Sequence, residues 1–401
     1  MNVTKQLAGA ALPAQFDHSI LIVGGGAAGI TVAAQLKRRD PRLDIAIVEP
    51  SEAHSYQPGW TLVGAGVFTR AQTERREERL IPKGVSWIKA AATTFMPADN
   101  LVRLSDGRSV RYSWLIMCPG LKLDWGKIEG LDGTLGRNGV CSNYRPDMAE
   151  YTWKLIQDFR GGTALFTQPA MPIKCAGAPQ KIMYLMADHL RRRGRLSASS
   201  LQFCLAAEAL FGVPFFVPPL QRAVDSYGIQ LNYRHDLKAI DGAAKTAIFS
   251  VTDSEGTLNE VTKRFDMIHV VPPQTGLDVV RSSPLANAAG WIEVDPATLR
   301  HVRYPNVFAL GDAASTSNAK TAAAVRIQVP VVANNLLAAM KGGALPLTYD
   351  GYGSCPLTVA YGKIVLAEFA YGGKVTPSFP LDPRVPRRSM WYLKTKLLPW
   401  L

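Results

Sequence analysis

The chain has 401 residues, a length that fits about two or three domains and exceeds that of one ordinary domain. Hydrophobic residues make up 47% and charged residues 19% of it, which supports a sizeable core and excludes wholesale disorder. Lys and Arg outnumber Asp and Glu by 45 to 32, which favours anionic partners, but the basic residues are scattered and match no nucleic-acid-binding motif, so we expect no nucleic-acid partner.

Several other classes of protein are excluded by simple counts. Five cysteines are too few for a dense disulfide scaffold, and no cluster of His or Cys has the spacing of a metal site. No segment is expected to span a bilayer, which needs about 20 apolar residues, because the best stretch, 321–340, contains Arg326 and Gln328. Residues 1–19 carry one Lys and no apolar core, so we predict no signal peptide.

The first predicted elements form a dinucleotide-binding unit. A strand at 19–23 leads into a glycine turn, a helical pattern covers 30–39, and a second strand at 44–48 ends at Glu49. Glycines at such a turn let the backbone approach a pyrophosphate, and the helix N-terminus offers unpaired N–H groups. Glu49 lies about 20 residues beyond the last glycine, where an acid accepts hydrogen bonds from a ribose. The residues of the turn are Gly24, Gly26, Ala27, Ala28 and Gly29.

Two later segments indicate which dinucleotide binds. Residues 114–120 are predicted to form a strand that runs into a Pro-Gly turn at Gly120. A short strand at 307–310 is followed by Gly311 and Asp312, where we expect the next helix to begin. An Asp at this position is typical of flavoproteins with two dinucleotide-binding folds, in which it reaches the ribityl and pyrophosphate part of FAD. The sequence therefore favours FAD over NAD at the first site.

A second nucleotide-binding fold is predicted without its phosphate loop. Residues 163–167 form a strand, and 179–193 form a helix with one apolar face. The loop that follows the strand, QPAMPIKCAGAPQK, has no GxGxxG motif and contains Cys175 instead. We therefore expect no nicotinamide coenzyme, and Cys175 occupies the place where one would dock.

Five segments carry a family resemblance: EPSEAHSYQPGWTLVGAG (49–66), PIKCAGAPQKIMYL (172–185), RYPNVFALGD (303–312), AKTAAAV (319–325) and YDGYGSCPLTVAYGKIVLAEF (349–369). With these motifs the chain resembles the sulfide:quinone oxidoreductases, in particular the mitochondrial-like group that is also found in bacteria. The resemblance implies an α/β fold with two Rossmann-like domains, as in glutathione reductase, and a short C-terminal membrane-facing segment. The implied parts are an FAD-binding domain (1–120 and 290–345), a second Rossmann-like domain without the NAD phosphate loop (121–289), and a quinone- and membrane-facing region (346–401).

The resemblance also implies a reaction and its partners. Hydrosulfide attacks a disulfide or trisulfide centre formed by Cys175 and Cys355, and two electrons pass through FAD to a ubiquinone-type quinone. The sulfane sulfur goes to an acceptor, which is sulfite, a thiol, cyanide or sulfide. In the family pattern Cys355 holds the persulfide and Cys175 faces the flavin. Both cysteines lie in small-residue stretches, KCAGAP and GSCP, which we interpret as loops in which a thiol is exposed.

The other three cysteines are weaker candidates. Cys118 and Cys204 lie in apolar, strand-like runs and are expected to be buried structural residues. For Cys141, in GVCSNYRPDM, two roles stay open: a structural role and a role in sulfur transfer.

Cations are expected around the centre, since thiolates gain from nearby positive charge. Lys181, about one and a half helical turns beyond Cys175, and Lys394, which the resemblance adds, are expected to stabilise the thiolate and the anionic substrate. Lys174 adjoins Cys175, and Lys320 is the candidate for stabilising negative charge on reduced flavin. No metal is predicted. The residues expected to bind FAD, besides the glycine turn, are Glu49, Gln57, Ala92, Gly120, Gly311, Asp312, Lys320, Thr321, Ala322 and Ala323.

The C-terminal stretch 387–401 predicts contact with a membrane. Read as a helix, it places Met390, Leu393, Leu397 and Trp400 on one face, and its basic and aromatic residues are typical of an in-plane amphipathic segment. We expect a peripheral protein of the bacterial inner membrane, with a core-covering helix or a subunit contact in a homo-oligomer as the alternatives. Family members commonly continue beyond this point, so the anchor is expected to be weaker or completed by a partner subunit.

Two other functions fit parts of the pattern. An NADH:quinone oxidoreductase has the same fold, but the missing second glycine motif and the paired cysteines disfavour it. A flavin-binding redox sensor without turnover is the alternative from a different class. Reduction of a quinone by sulfide distinguishes a sulfide:quinone oxidoreductase from both of these alternatives.

Overall fold

The structure, a computed structural model, describes residues 15–400. Residues 1–14, which make up most of the stretch considered for a signal peptide, and Leu401 lie outside the described residues. Two sheets built mainly from parallel strands and a C-terminal hairpin make up the mixed α/β architecture.

The strands are β1 Gln15–Val23, β2 Ile45–Val48, β3 Ala53–Ser55, β4 Glu74–Arg76, β5 Ser86–Ile88, β6 Ala92–Met96, β7 Leu101–Leu104, β8 Ser109–Met117, β9 Lys122–Leu123, β10 Val140–Cys141, β11 Gly162–Gln168, β12 Ser199–Leu205, β13 Gln230–Asn232, β14 His235–Asp241, β15 Thr246–Thr252, β16 Leu258–Arg264, β17 Met267–His269, β18 Gln274–Thr275, β19 Val307–Ala309, β20 Gly353–Ala360 and β21 Lys363–Phe369. The α-helices are α1 Ala27–Arg39, α2 Trp60–Val63, α3 Pro146–Asp158, α4 Ala178–Arg192, α5 Val217–Tyr227, α6 Asp278–Arg281, α7 Ala322–Met340 and α8 Arg388–Tyr392.

The larger sheet has the order β5-β2-β1-β8-β7-β6, with β19 also paired to β8. β1 runs parallel to β2 and to β8, and its apolar run 20–23 is buried, as expected of a central parallel strand covered on both faces. The predicted strand–turn–helix–strand unit is confirmed as β1, α1 and β2. The strands predicted at 114–120 and 307–310 are confirmed as the end of β8 and as β19.

The second sheet has five parallel strands in the order β10-β17-β11-β12-β13. The strand predicted at 163–167 and the helix predicted at 179–193 are confirmed as β11 and α4. The loop between β11 and α4 contains Cys175, as predicted. A short ribbon of β9 and β18 lies where the chain passes between the two sheets, and β14, β15 and β16 form an antiparallel sheet of their own.

The hairpin of β20 and β21 carries Cys355. Its register pairs Cys355 with Ala367 and Ser354 with Glu368. Cys355 therefore lies in a strand and is 3% exposed, so the prediction of an exposed loop is wrong for this cysteine. The GSCP stretch reads as a loop because of its proline, yet a two-stranded hairpin tolerates Pro356, since both of its strands have a free edge.

The segment after β19 does not lead directly into a helix, contrary to the prediction. Gly311–Ala313 forms a single 3-10 turn, and α7 begins only after Thr321, whose side chain caps it. The Lys320 ammonium donates hydrogen bonds of 2.7 and 2.9 Å to the carbonyl oxygens of Asp312 and Ala314. Because these carbonyls are paired with a side chain instead of with backbone amides, the chain continues as a loop.

α7 is, within the described part of the chain, the one helix that is long and apolar enough to cross a membrane by length and composition. This differs from the sequence expectation, which excluded 321–340 on account of Arg326 and Gln328. In the fold α7 packs against α1, and half of its apolar window is buried. Packing on a neighbouring helix therefore gives a structural origin for its apolar composition.

The C-terminal stretch is helical but is not one regular helix. α8 packs Met390 against β21, and a π-helical turn, Leu393–Leu397, and a 3-10 turn, Leu398–Trp400, follow. The predicted common apolar face is wrong, because Met390 is buried whereas Leu397 is 58% exposed. The π turn shifts the later side chains out of the 3.6-residue period on which that prediction was based.

Replacing Phe308 by alanine tests the core of the larger sheet. Phe308 is fully buried on β19, and its ring centroid lies 6.5 Å from that of Trp114. We expect Phe308→Ala to lower the free energy of unfolding by about 3–5 kcal/mol because it leaves a cavity. Leu258→Ala, at a position that is 71% exposed, is the control and should change it by about 0.5 kcal/mol or less. Chemical denaturation measures both, and equally small losses would contradict this placement of Phe308.

Candidate active site

The glycine turn between β1 and α1 has the shape of a phosphate cradle. Gly24 has a φ of 107°, and a Cβ atom on it would lie 2.3 Å from the carbonyl oxygen of Cys118. A Cβ on Gly29 would lie 1.9 Å from the carbonyl oxygen of Gly24, so both positions require glycine. A Cβ on Gly26 would meet no atom within 4 Å, which leaves open space in front of the turn.

This open space meets the N-terminus of α1. Gly26 is the N-cap, no side chain caps the helix, and its first turn holds no acidic residue. Ile30 donates the first hydrogen bond of the helix, so the amides of Ala27, Ala28 and Gly29 have no intrahelical partner. Unpaired amides at the positive end of a helix dipole bind phosphate, so the residues present fit the pyrophosphate of FAD.

Glu49 borders the cradle at the end of β2. Its carboxylate accepts hydrogen bonds of 2.8 Å from the amides of Gly25 and Ser51. The side chain is therefore held against the glycine turn, at the position where the sequence predicted a contact with ribose. That contact stays a prediction.

Gly311 and Asp312 border the cradle from the end of β19. A Cβ on Gly311 would lie 3.4 Å from the Cβ of Ala28, which places the 3-10 turn beside the first turn of α1. Burial raises the pKa of Asp312, and the positive charges of Lys174 and Lys320 oppose this rise. Asp312 therefore lies between the glycine turn and the lysines that flank the cysteine loop.

Lys320 connects the 3-10 turn to the cysteine loop. Its side chain is buried over the ring of Trp291, at 4.3 Å from the centroid, and its ammonium binds the two carbonyl oxygens of the turn. Burial lowers the pKa of Lys320 to about 8, and Asp312 partly offsets this. The carbonyl oxygen of Lys320 accepts a 2.9 Å hydrogen bond from the amide of Cys175. Its role toward reduced flavin stays a prediction.

The next predicted cofactor residues lie around the same loop. Thr321 accepts a hydrogen bond from the amide of Ala324, which leaves the amides of Ala322 and Ala323 at the start of α7 beside Lys320. Gln57 accepts a 2.7 Å hydrogen bond from the ammonium of Lys174 and so lies near Cys175.

Gly120 and Ala92 are placed differently. Gly120 follows β8, the neighbour of β1, and a Cβ on it would meet no atom within 4 Å. Ala92 begins β6, shortly after β5, whose last residue Ile88 accepts a hydrogen bond from the amide of Glu49, and its contact with FAD stays a prediction.

The structure brings Cys175 and Cys355 together. α4 packs against β20, and a hydrogen bond joins the two thiols. The ammonium of Lys181, on α4, lies 3.4 Å from Sγ of Cys175 and is also hydrogen-bonded to Cys355. A Cβ on Gly177 would lie 2.4 Å from Sγ of Cys355, so this sulfur occupies the space that a larger residue would fill.

The two thiols differ in their affinity for a proton. The hydrogen bond from Cys355 lowers the pKa of Cys175 well below the usual value; burial opposes this, and the charges of Lys181 and Lys394 reinforce it. The same hydrogen bond, together with burial, raises the pKa of Cys355. The two thiols therefore titrate as a coupled pair, in which the ionised form is favoured at Cys175 and the neutral form at Cys355.

Both predicted lysines face this pair. Burial alone would lower the pKa of Lys181, but the charge on Cys175 and Cys355 raises it. Lys394 is 4% exposed in the π turn, and burial lowers its pKa to about 8, with the charge of Lys181 adding to the effect. The C-terminal segment thus contributes a charge to the sulfur centre.

The other three cysteines are buried, and burial raises their pKa, to about 12 for Cys141 and Cys204. The structural roles predicted for Cys118 and Cys204 agree with this burial. Cys141 is fully buried at the end of β10, which favours its structural alternative, because a shielded neutral thiol is a poor nucleophile. No group of three His, Cys, Asp or Glu within 15–400 could hold a metal ion.

Sequence reasoning missed the residues that support the cysteine loop. Tyr144 donates to the carbonyl oxygens of Lys174 and Cys175, and Gln274 accepts a hydrogen bond from the amide of Lys174. The glycine of KCAGAP, Gly177, was visible as a small residue beside a cysteine and could have been singled out. Tyr144 and Gln274 carry no such signal, because only tertiary structure brings them to the loop.

A dinucleotide cradle beside a lysine-flanked pair of thiols, on two Rossmann-like sheets, is the arrangement of a flavin-dependent oxidoreductase. No family model matches the chain. The chain is 43% identical over 383 residues to the mitochondrial sulfide:quinone oxidoreductase of Dictyostelium discoideum, which covers 95% of this chain and 84% of that protein. The chain therefore belongs to the sulfide:quinone oxidoreductase family, and FAD is its cofactor.

Solved structures show the same fold. A chain in the structure of the Tetrahymena thermophila mitochondrial ATP synthase matches with a TM-score of 0.85 at 20% identity, over 99% of this chain and 97% of that one. The sulfide:quinone oxidoreductase of Aquifex aeolicus matches with a TM-score of 0.77 at 19% identity, over 94% of this chain and 89% of that one. At these identities the likeness shows the fold alone, and it confirms the predicted α/β class.

Gly177→Ala tests the contact between the cysteine loop and Cys355. Gly177 has a φ of −83°, so alanine causes no backbone strain, but its Cβ would displace the Cys355 sulfur. We expect oxidation of the Cys175–Cys355 pair by glutathione disulfide to become at least about tenfold slower. Mass spectrometry of alkylated peptides measures this oxidation rate. Gly126→Ala, where the added Cβ meets no atom within 4 Å, is the control, and equal rates in both variants would contradict the contact.

Lys181→Met tests the charge at the sulfur pair. Removing the ammonium removes a cation that favours the thiolate, so the pKa of Cys175 should rise. Because only the thiolate reacts, alkylation of Cys175 by iodoacetamide should shift to higher pH by the same amount. Lys341→Met, at an exposed position, is the control. An unchanged pH profile in Lys181→Met would show that this charge does not act on the thiol.

Proposed function

We propose that this chain oxidises hydrosulfide at a Cys175–Cys355 centre and passes two electrons through FAD to a ubiquinone-type quinone. Membership of the sulfide:quinone oxidoreductase family supports the reaction. The observation that carries the assignment of the centre is the contact of both cysteines with each other and with Lys181. The NADH:quinone oxidoreductase and the non-catalytic sensor are not favoured, because the curated relatives are named for sulfide and quinone.

The proposed step at the centre is a thiol–disulfide exchange. Hydrosulfide attacks the Cys355 sulfur of the bridged pair, a new S–S bond forms there, and Cys175 leaves as the thiolate. Lys181 and Lys394 stabilise the incoming anion and the leaving thiolate. A nucleophilic acceptor then takes the sulfane sulfur from Cys355 and leaves a second thiolate. When the Cys175–Cys355 bond re-forms, two electrons are released, which are the pair that sulfide brought in.

FAD, when bound, accepts this electron pair and delivers it to quinone. We propose that the amides of the glycine turn hold its pyrophosphate and that Glu49 contacts its ribose. Asp312 and the start of α7 after Thr321 complete the binding residues on the side of the cysteine loop. As in the family pattern, we propose that Cys175 faces the flavin and Cys355 carries the persulfide; the lowered pKa of Cys175 agrees with its role as the leaving thiolate.

The sheets support the division of the chain that the resemblance implies. Strands β1, β2, β5 to β8 and β19 form the larger sheet, in agreement with an FAD-binding domain of 1–120 and 290–345. Strands β10 to β17 form the second and the antiparallel sheet, in agreement with a second domain of 121–289. The hairpin and α8 belong to the proposed region 346–401.

A recess between β21 and the segment that leads to α8 is the proposed place of quinone contact. Its walls include the apolar side chains of Leu366, Phe379 and Met390, with Glu368 and Arg387 as polar groups. The recess has a volume of about 20 Å³, too small to enclose a ring, so the proposed contact is with its mainly apolar rim and not inside it.

The same face supports attachment to a membrane surface. Tyr392 is 63% exposed, Leu397 58% and Phe379 40%, and the exposed Arg388 and Lys396 suit anionic headgroups. The relative from Dictyostelium discoideum is named as a mitochondrial protein. For this chain we propose a peripheral protein of the bacterial inner membrane. Sulfite, a thiol, cyanide or sulfide as the sulfur acceptor, and a homo-oligomer, also stay proposals.

Serine substitutions at the two cysteines test the proposed centre. Cys175→Ser and Cys355→Ser should each lower sulfide-dependent reduction of decylubiquinone by at least about a hundredfold, because neither can form the bridge. FAD content, measured by absorbance, should stay as in the wild type. Cys204→Ala, at a buried cysteine on β12, is the control and should keep its activity. Full activity in either serine variant, or quinone reduction driven by NADH instead of sulfide, would overturn the assignment.

A further inference from the structure

The backbone of Cys175 is held in an unusual conformation. Its φ is 51°, in the left-handed region, which is unfavourable for a residue with a Cβ. A conformation of this kind persists only when its surroundings determine it, and such residues are common at active sites. The groups that surround the Cys175 peptide therefore show what keeps this sulfur in place.

Two acceptors hold the amides of the loop. The amide of Cys175 donates a 2.9 Å hydrogen bond to the carbonyl oxygen of Lys320, which precedes α7. The amide of Lys174 donates a 2.7 Å hydrogen bond to Oε1 of Gln274, on β18. The amides of the loop are therefore hydrogen-bonded both to the segment that precedes α7, beside the cofactor cradle, and to β18 of the ribbon between the sheets.

Two donors hold the carbonyl groups of the same residues. The hydroxyl of Tyr144, which follows β10, lies 3.1 Å from the carbonyl oxygen of Lys174 and 3.3 Å from that of Cys175. The amide of Ala178, at the start of α4, donates a 2.7 Å hydrogen bond to the carbonyl oxygen of Cys175. For the Lys174 carbonyl, Tyr144 is the donor that the structure shows.

We propose that Tyr144 is a positioning residue for the sulfur chemistry: its hydroxyl fixes the Cys175 peptide so that the sulfur stays within reach of Cys355 and Lys181. Tyr144 acts through the backbone of the loop, by way of the two carbonyl groups. It is 4% exposed, so bulk water cannot readily replace its hydroxyl there. Without it, the carbonyl of Lys174 gains a new partner only if the peptide rotates, and rotation carries the Cys175 side chain with it.

A fixed peptide matters because Cys175 exchanges partners during the proposed cycle, on which this inference rests. A disulfide requires a narrow range of Cα separations, and two held thiols react as if they were at very high concentration. With the backbone fixed, a rotation about the Cα–Cβ bond is the main freedom that the sulfur retains. Tyr144 thus limits how far the thiol can move away from Cys355 between steps.

Tyr144→Phe in the FAD-bound enzyme tests the inference, with Tyr227→Phe as a matched control. Tyr227 is also buried, and its hydroxyl also donates to a backbone carbonyl, that of Val359 at 3.0 Å. Two measurements are made: the pH profile of Cys175 alkylation, and the equilibrium of the Cys175–Cys355 bridge with glutathione. The titratable groups that face Cys175, besides Tyr144, are Cys355, Lys181, Lys394, Lys174, Asp312 and Tyr56.

In Tyr144→Phe we expect the pH profile to move up toward that of an ordinary thiol, because the sulfur leaves Cys355 and Lys181. The equilibrium constant for the bridge should fall by about tenfold or more, since the thiols are less well held. Tyr227→Phe should match the wild type in both measurements, although it loses the same kind of hydrogen bond. A purely structural role for Tyr144 predicts equal behaviour of the two variants, and that result would overturn the proposal.

A second variant covers the case in which Tyr144→Phe fails to fold. Gln274→Leu removes the acceptor of the Lys174 amide from a half-buried position, and it should shift both measurements in the same direction. Wild-type values in Gln274→Leu would then overturn the inference. If the wild-type enzyme forms no Cys175–Cys355 bridge at all, the proposed function fails instead, so the two failures are distinguishable.

Discussion

An ammonium group buried between two sulfur atoms is the interaction on which this site depends. Lys181 is 2% exposed, and a buried cation without a counter-charge would be strongly unfavourable. The sulfur pair raises the pKa of Lys181, and Cys355 and Lys181 in turn lower the pKa of Cys175, so each group favours the charged form of its partner. None of these three groups would have the same pKa without the other two. The packing of α4 against β20, which brings them together, is therefore a requirement of the chemistry as much as of the fold.

The parts of the molecule that follow from local rules were predictable. The turn from Gly24 to Gly29 lies between an apolar strand and an amphipathic helix, and every residue that defines it is a near neighbour in sequence. The same holds for β11 and α4, whose strand–loop–helix pattern was evident without a glycine motif. The pairing of Cys175 with Cys355 is different, because no local rule joins two residues so far apart. Only the resemblance to a known family indicated it.

The expectations that failed depended on contacts that are distant in sequence. The GSCP stretch forms a strand because it pairs with β21, and its proline is tolerated at a free edge. The helix expected after Asp312 is delayed because a lysine side chain takes the carbonyl groups of the turn. The C-terminal face is broken by a π turn that also buries Lys394. Tyr144 and Gln274 belong to the same class, since neither lies near Cys175 in the sequence.

The hairpin of β20 and β21 has one further consequence. Alternate residues of a strand point to opposite faces, so Cys355 and Ala367 face α4, whereas Ile364 and Leu366 face Met390 of α8. A single layer of backbone therefore separates the sulfur from the recess proposed for quinone. On the proposed assignment, hydrosulfide and quinone therefore approach opposite faces of one hairpin.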